Sequence, residues 1–347
     1  MSKLQRSPIQ TEPWPSFAAL LGVLLILAAW TFPGLVGHDP WKQDEAYSFG
    51  IIYNMVRTGD LVVPTLAADP FMEKPPAYYI TATGMVHLLD ELLLPHDAAR
   101  LTTALYLAVM FLFTGLLAKS TWGEGHGLLC VLMLISTLGL MQHGHFMITD
   151  IALSAGMAMA FYGLLLARKR AGWGGLWLGT GAGLAFMSKG LLGPGILGVS
   201  ALVLPVLFAP WRSRTYLRAL LIAAAAVLPW VLVWPTALYL RDPDLFMLWF
   251  WDNNFGRYLG FVELGPPVKD LFWLRTFPWV TFPVSLLALW TLWARRNDVR
   301  VNDGVRATLV VSLVGWGVLD DTLRALGASD GPAKYPIFKM RRPARDS

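Results

Sequence analysis

The chain has 347 residues, of which 55% are apolar and only 15% charged, and its mean hydropathy is +0.51; a soluble domain carries about 25% charge, so a water-soluble globular protein is excluded. The net charge of +5 comes without a basic stripe interleaved with aromatics, which excludes nucleic acid as a partner. A lone cysteine, Cys130, excludes a disulfide framework and a thiolate metal site.

In chain order, the first apolar run is Phe17 to Val36. It lacks a small-residue cleavage site and is long for a signal peptide, so it is read as a permanent span. Between Glu45 and Arg57, the residues Tyr47, Ile51 and Met55 recur at i, i+4 and i+8, which predicts a short amphipathic helix. The stretch 76–94 is apolar but contains His87, Asp90 and Glu91. Pro75-Pro76 suits the first turn of a helix there, where missing amide donors cost nothing. Further spans are expected at 99–118, 127–142, 149–167, 172–188, 190–209, 217–238 and 276–294, with a weaker one at 305–319. Most of them approach the roughly 20 residues that cross a hydrocarbon core of about 30 Å. Sixteen tryptophans and ten tyrosines suit two aromatic interface belts.

Charge orients these spans. The basic residues Lys119, Arg168-Lys169-Arg170, Arg212/Arg214/Arg218 and Arg295/Arg296/Arg300 fall on one side together with Lys3 and Arg6 only if 76–94 does not cross. The positive-inside rule then makes that side cytoplasmic, and 76–94 becomes a helix lying along the interface. Loops 37–98, 143–149 and 239–275 share the outer face. They hold charges of both signs that topology does not require, including Asp44, Glu45, Glu73, Lys74, Asp150, Lys189 and Arg257. The fold class expected is an all-α polytopic membrane protein of about eight or nine spans with interfacial helices in the first outer loop.

The densest polar signal is Asp44-Glu45-Ala46-Tyr47, then Arg57-Thr58-Gly59-Asp60, then Phe71-Met72-Glu73-Lys74-Pro75-Pro76-Ala77-Tyr78-Tyr79. Glu73-Lys74 precedes a predicted helix start, where free amides favour an anion such as phosphate. A second acid, Asp150, opens a span in FMITDIALS; Lys189 follows in GLAFMSKG and Arg257 in NNFGRYLG. This ordered set, running from residue 38 to about 294, resembles the GT-C class of membrane glycosyltransferases. The likeness is to the branch with aminoarabinose lipid A transferases and bacterial protein O-mannosyltransferase-like enzymes. The resemblance implies that Asp44 and Asp150 are the essential acids, with Glu45 beside them. It aims Lys74 and Arg257, with Lys189 and Arg100, at a lipid phosphate, and leaves Tyr47, Glu73, Tyr78 and Asn254 to line the substrate cleft. It also implies a polyprenyl-phosphate sugar donor, a lipid, glycan or protein acceptor, and a site on the periplasmic face of a bacterial inner membrane with the N-terminus cytoplasmic.

These residue types suit the chemistry. A carboxylate in a partly dry cleft can take the proton of an attacking oxygen, and fixed cations stabilise a departing phosphate, each by about 3–4 kcal/mol by analogy with single oxyanion donors. No phosphate loop for a nucleotide is visible. No cofactor is expected and no metal: His143 and His145 stand at i and i+2, which do not face each other on a helix. A divalent cation is the one exception left open. Two competing readings are a lipid-carrier flippase or transporter, and an inactive remnant that only binds the carrier. The second arises because the resemblance fades after about residue 294. Residues 1–319 are expected to form the membrane domain. Residues 320–347 are expected to be an atypical, poorly ordered tail, as in a truncated or frame-shifted gene.

Overall fold

A computed structural model of the chain describes residues 17–256, 272–294, 296 and 301–327, with backbone alone for 272–274 and 318–327. The described residues are helical apart from loops and one two-stranded hairpin. The helices are α1 (Phe17–Thr31), α2 (Gln43–Thr58), α3 (Ala77–Leu89), α4 (Pro95–Trp122), α5 (His126–Ile135), α6 (Leu138–His143), α7 (Thr149–Ala167), α8 (Ala171–Lys189), α9 (Leu192–Leu207), α10 (Arg214–Arg241), α11 (Pro243–Met247), α12 (Phe272–Val280), α13 (Val284–Ala294) and α14 (Asp303–Gly327). A π-helical segment, Leu248–Gly256, follows α11. The strands β1 (Thr65–Leu66) and β2 (Asp69–Pro70) pair antiparallel around a two-residue turn.

The polytopic all-α architecture agrees with the expectation from sequence. Among the described residues, α4, α7 and α10 are long and apolar enough to cross a membrane. The shorter apolar helices α1, α5, α9 and α13 and the glycine-rich α8 complete the bundle. The centre is α8, packed between α7 and α10. Glycines make that approach possible. A Cβ at Gly181 would meet the backbone nitrogen of Ala160 on α7 at 2.4 Å, and one at Gly179 would meet the carbonyl oxygen of Ala223 on α10 at 2.3 Å. Small residues at helix contacts let backbones touch, which is how membrane helices pack without a hydrophobic drive between them.

Two predicted spans are interrupted. The stretch 127–142 divides at Ser136-Thr137 into α5 and α6. Both hydroxyls bond back to carbonyls of the preceding turn, Ser136 to Met133 and Thr137 to Leu134, which offers the backbone an alternative to continuing the helix. The stretch 276–294 divides at 281–283, ahead of Pro283, which has no amide to donate. The two breaks meet, with the Leu138 amide bonded to the Phe282 carbonyl at 3.0 Å. The last helix, α14, runs to Gly327 and so crosses the boundary expected at 319, while 328–347 lie outside the described residues.

The segment between α1 and α4 carries α2, the hairpin and α3. At 13 residues, α3 rises roughly 20 Å, short of a hydrocarbon core of about 30 Å. Its face Ala77, Tyr78, Tyr79, Ala82, Thr83 and Val86 is buried, against α4 and α2. Ile51, Ile52 and Met55 of α2 join the same core as Tyr78 and Tyr79, together with Met147, Ile151 and Trp234. The helices α2 and α3 are therefore built into the bundle. A second core, around Leu164, Leu178, Leu204, Trp211 and Tyr216, closes another part of it.

Candidate active site

The site grows from the first turn of α2. Asp44 and Glu45 both lie there, where the helix dipole favours acids, yet successive residues point apart. Asp44 is exposed and accepts a hydrogen bond from the Tyr47 hydroxyl at 2.8 Å. Glu45 is 1% exposed and points inward. The Tyr47 ring stacks on Phe71 with centroids 5.3 Å apart, and its hydroxyl accepts from the Lys74 ammonium at 2.7 Å. Asp44, Tyr47 and Lys74 thus form a relay across the loop. Pro75 and Pro76, both buried, fix the turn between Lys74 and α3.

The second part lies where α7 begins and α8 ends. Asp150, in the first turn of α7, is ion-paired with Lys189 at the last residue of α8. Both are about two-fifths exposed at the side chain, so the pair is not sealed in the core. Gly190 follows at a φ of 69°, and the Asn254 amide oxygen fills the space a Cβ would occupy. That oxygen accepts from the Leu191 amide at 3.2 Å, while the Asn254 nitrogen donates to the Trp249 carbonyl at 2.8 Å. Asn254 therefore clamps the α8–α9 corner that presents Lys189.

The two parts share one electrostatic field. Burial lowers the pKa of Lys74; Glu73 opposes that, Lys189 adds to it, and Asp150 and Asp44 oppose it. Lys74 is thus a partly desolvated cation among three acids and a second ammonium. Among the described residues no carboxylate lies within ion-pair distance of it. The Tyr47 hydroxyl is pushed well above the usual phenol range by burial and by its bond to Asp44, so it stays a protonated donor. Tyr79, fully buried on α3, is raised in the same way by burial and by Glu73.

Sequence reasoning grouped other residues here that sit deeper. Arg100 is fully buried; its Nε donates to Glu45 at 2.7 Å, and its Nη1 to Asp97 and to the Leu35 carbonyl, each at 3.1 Å. Glu45 also accepts from the backbone amides of Trp41 and Met147. The Glu45–Arg100–Asp97 cluster ties the segment after α1 and the segment before α7 to α4. Tyr78 is also fully buried, its hydroxyl 2.7 Å from Thr103. Glu73 is exposed next to Lys74. Arg257 lies outside the described residues. Asp97 and Tyr79 were not singled out from sequence; for Asp97 the signal was its i, i+3 spacing to Arg100 at a span's mouth. His145 bonds to the Trp30 carbonyl and His143 to that of Gly139. Among the described residues no three His, Cys, Asp or Glu side chains cluster as a metal site would need.

Comparison with known proteins bears on the fold and on the family likeness. Residues 73–236 match the family described as dolichyl-phosphate-mannose-protein mannosyltransferase. The chain is 28% identical over 308 residues to undecaprenyl phosphate-alpha-4-amino-4-deoxy-L-arabinose arabinosyl transferase 1 of Pseudomonas fluorescens (strain Pf0-1), covering 82% of this chain and 50% of that one. It is 28% identical over 291 residues to the corresponding transferase of Pectobacterium atrosepticum, covering 78% and 49%. The chain spans about half the length of the curated relatives it matches. Its fold superposes on ArnT from Cupriavidus metallidurans bound to undecaprenyl phosphate with a TM-score of 0.72 at 18% identity, covering 90% of this chain and 59% of that one. The apo form of the same protein gives 0.71 at 19% identity, covering 89% and 57%. The chain is a multi-pass membrane protein with this fold, and it resembles the aminoarabinose-type GT-C glycosyltransferases.

Proposed function

We propose, from that resemblance and from the cleft around Lys74, that the chain transfers a sugar from a polyprenyl-phosphate donor to a lipid, glycan or protein acceptor, with inversion at the anomeric carbon. The observation that carries the reading is Lys74. It is a desolvated cation whose hydrogen bond goes to a neutral hydroxyl and whose field includes Asp44, Asp150 and Lys189. A cation held this way is stabilised by an anionic ligand, and a lipid phosphate has the right charge. In the transfer, an acceptor oxygen bonds to the anomeric carbon as the bond to the phosphate oxygen breaks. The bonding pair leaves with the lipid phosphate, and Asp44 takes the acceptor proton.

Lys74 and Lys189 stabilise the departing phosphate as point charges, and Arg257 grips it through its planar fork. Asp150 holds Lys189 in position. Tyr47, kept protonated, links Asp44 to Lys74 and couples the base to the phosphate site. Glu45 and Arg100 act through the scaffold, fixing the start of α2. The active site faces the periplasm of a bacterial inner membrane, with the N-terminus cytoplasmic, and residues 1–319 carry the transferase. Mass spectrometry of envelope lipids and glycans from cells with and without the gene tests this. One sugar-sized mass difference on an acceptor is expected. Identical profiles under conditions where the protein is made would overturn the reading. Lys74→Ala should weaken donor use more than acceptor use.

A further inference from the structure

Away from the transfer site, α1, α4 and α5 enclose a groove of about 510 Å³, within the size range of small-ligand sites. We propose that this groove holds one acyl chain of a zwitterionic phospholipid whose headgroup rests on Lys119 and Glu124. The proposal goes beyond glycosyl transfer and does not depend on it.

The groove is cut into the bundle by its own sequence. On α4, Ala104, Ala108, Leu112, Gly115 and Lys119 stand at i, i+4, i+8, i+11 and i+15, one face of the helix, and all of them line the groove. Small residues at Ala104, Ala108 and Gly115 keep that face low. Gly115 also lets α5 close up on α4, since a Cβ on Gly127 would fall 2.8 Å from the Gly115 carbonyl oxygen. The helix α5 is therefore a flush wall on one side. On the other side Leu24, Leu27, Ala28 and Thr31 of α1 recur at i, i+3, i+4 and i+7, the stripe a helix turns toward a partner. That stripe lines the groove, and of all α1 only Thr31 is buried.

Charge selects the occupant. The apolar track ends at Lys119 and Glu124, which pair at 2.9 Å with both side chains about one-third exposed. An exposed pair contributes little to stability, so it exchanges readily for a ligand that brings both signs. A phosphate answers the lysine and an ammonium answers the glutamate, which is the headgroup of a zwitterionic phospholipid. From Ala104 to Lys119 the α4 axis rises roughly 22 Å. That exceeds one leaflet, half of a hydrocarbon core of about 30 Å, so a single acyl chain fits along it. Lys119 lies roughly 28 Å along the same axis from Arg100, which is bonded to Glu45 beside Asp44. A headgroup at Lys119 therefore rests at the membrane surface opposite the transfer site and is not the donor's phosphate. The occupant also bears on that site from a distance. After α1 the chain bonds to α4 through the Leu35 carbonyl on Arg100 and the Gly37 amide on Asp97, just ahead of α2. A lipid chain wedged between α1 and α4 braces that approach.

The test is native mass spectrometry of the purified chain in detergent, with phosphatidylethanolamine, phosphatidylglycerol and undecaprenyl phosphate added as separate probes. One phosphatidylethanolamine should be retained at least tenfold more tightly than phosphatidylglycerol, and it should raise the melting temperature. Ala108 is exposed, so Ala108→Phe fills the groove without disturbing the core; it should abolish both effects. Lys119→Ala combined with Glu124→Gln alters two surface side chains and leaves the apolar walls intact. It should weaken phosphatidylethanolamine about tenfold or more, the scale of a lost charged hydrogen bond, and remove the preference over phosphatidylglycerol. Retention that is unchanged in Ala108→Phe overturns the proposal, as does equal binding of the two phospholipids to the unaltered chain. Undecaprenyl phosphate that displaces phosphatidylethanolamine overturns it in favour of the carrier lipid. A dimer that Ala108→Phe dissociates overturns it in favour of a second copy of the chain.

Discussion

At the scale of single residues, adjacent acids have opposite fates. Asp44 is open to the cleft and Glu45 is sealed against Arg100, because neighbours on a helix point about 100° apart. Asp44→Asn should therefore abolish transfer, by about 10²–10⁴-fold for a lost general base, while the chain still inserts and purifies normally. Glu45→Ala should do the reverse of a clean catalytic lesion. It leaves the buried Arg100 to Asp97 and removes its shortest charged hydrogen bond, at a cost of about 1.5–3 kcal/mol, and should show as lost expression or a lower melting temperature in detergent. Lys74 gives a pH signature. Burial lowers its pKa, so it loses its charge as pH rises before an ordinary lysine would, near 10.4. Donor binding should decline on that alkaline limb, and Lys74→Arg should move the limb upward; an identical limb in both proteins would remove Lys74 from the phosphate site. The charged cleft residues were legible because few charges stand in so apolar a chain. Asp97 was not, since an acid in the first turn of a helix is ordinary capping chemistry, and Tyr79 was hidden among ten tyrosines.

At the scale of elements, the amphipathic period across Tyr47, Ile51 and Met55 located α2 well, because one face of it is buried and the other is not. The hairpin left no such trace. Its strands are two residues each, too short to show alternation, and its turn uses Ala67-Ala68 in place of the Asn-Gly or Asp-Gly that marks such turns. The break inside 127–142 was equally quiet, since a hydroxyl bonding back along the helix looks in sequence like any other serine or threonine; the one inside 276–294 is marked by Pro283. Packing at α8 gives a direct check. Gly181→Ala should drive α7 and α8 apart, costing about 1–3 kcal/mol as overpacking does. Gly172→Ala on the same helix meets nothing within 4 Å and should be neutral or slightly stabilising. Thermal unfolding of the two variants in detergent separates them; equal melting temperatures would contradict the close approach.

At the scale of the whole molecule, positive charge carried most of the information. Short basic loops carry the proposed sidedness, which keeps 76–94 out of the membrane, and α3 at 13 residues is short for a crossing helix. Cysteines placed at Asp69 and Glu91, in a background with Cys130 replaced, should both react with an impermeant reagent from the periplasmic side. Reaction from opposite sides would mean that α3 crosses, and the cleft would come apart. What sequence could not supply is how the two halves of the site meet, because Lys74 and Asp150 are brought together only through packing of α3 on α4, α7 and α8 and of α4 on α7. The most direct measurement is turnover in proteoliposomes holding the purified chain, a polyprenyl-phosphate-linked radiolabelled sugar and an extract of envelope acceptors. The account predicts release of polyprenyl phosphate with the label moving to acceptor, and none with Asp44→Asn. Label that stays on the donor, or moves equally well with Asp44→Asn, would contradict it.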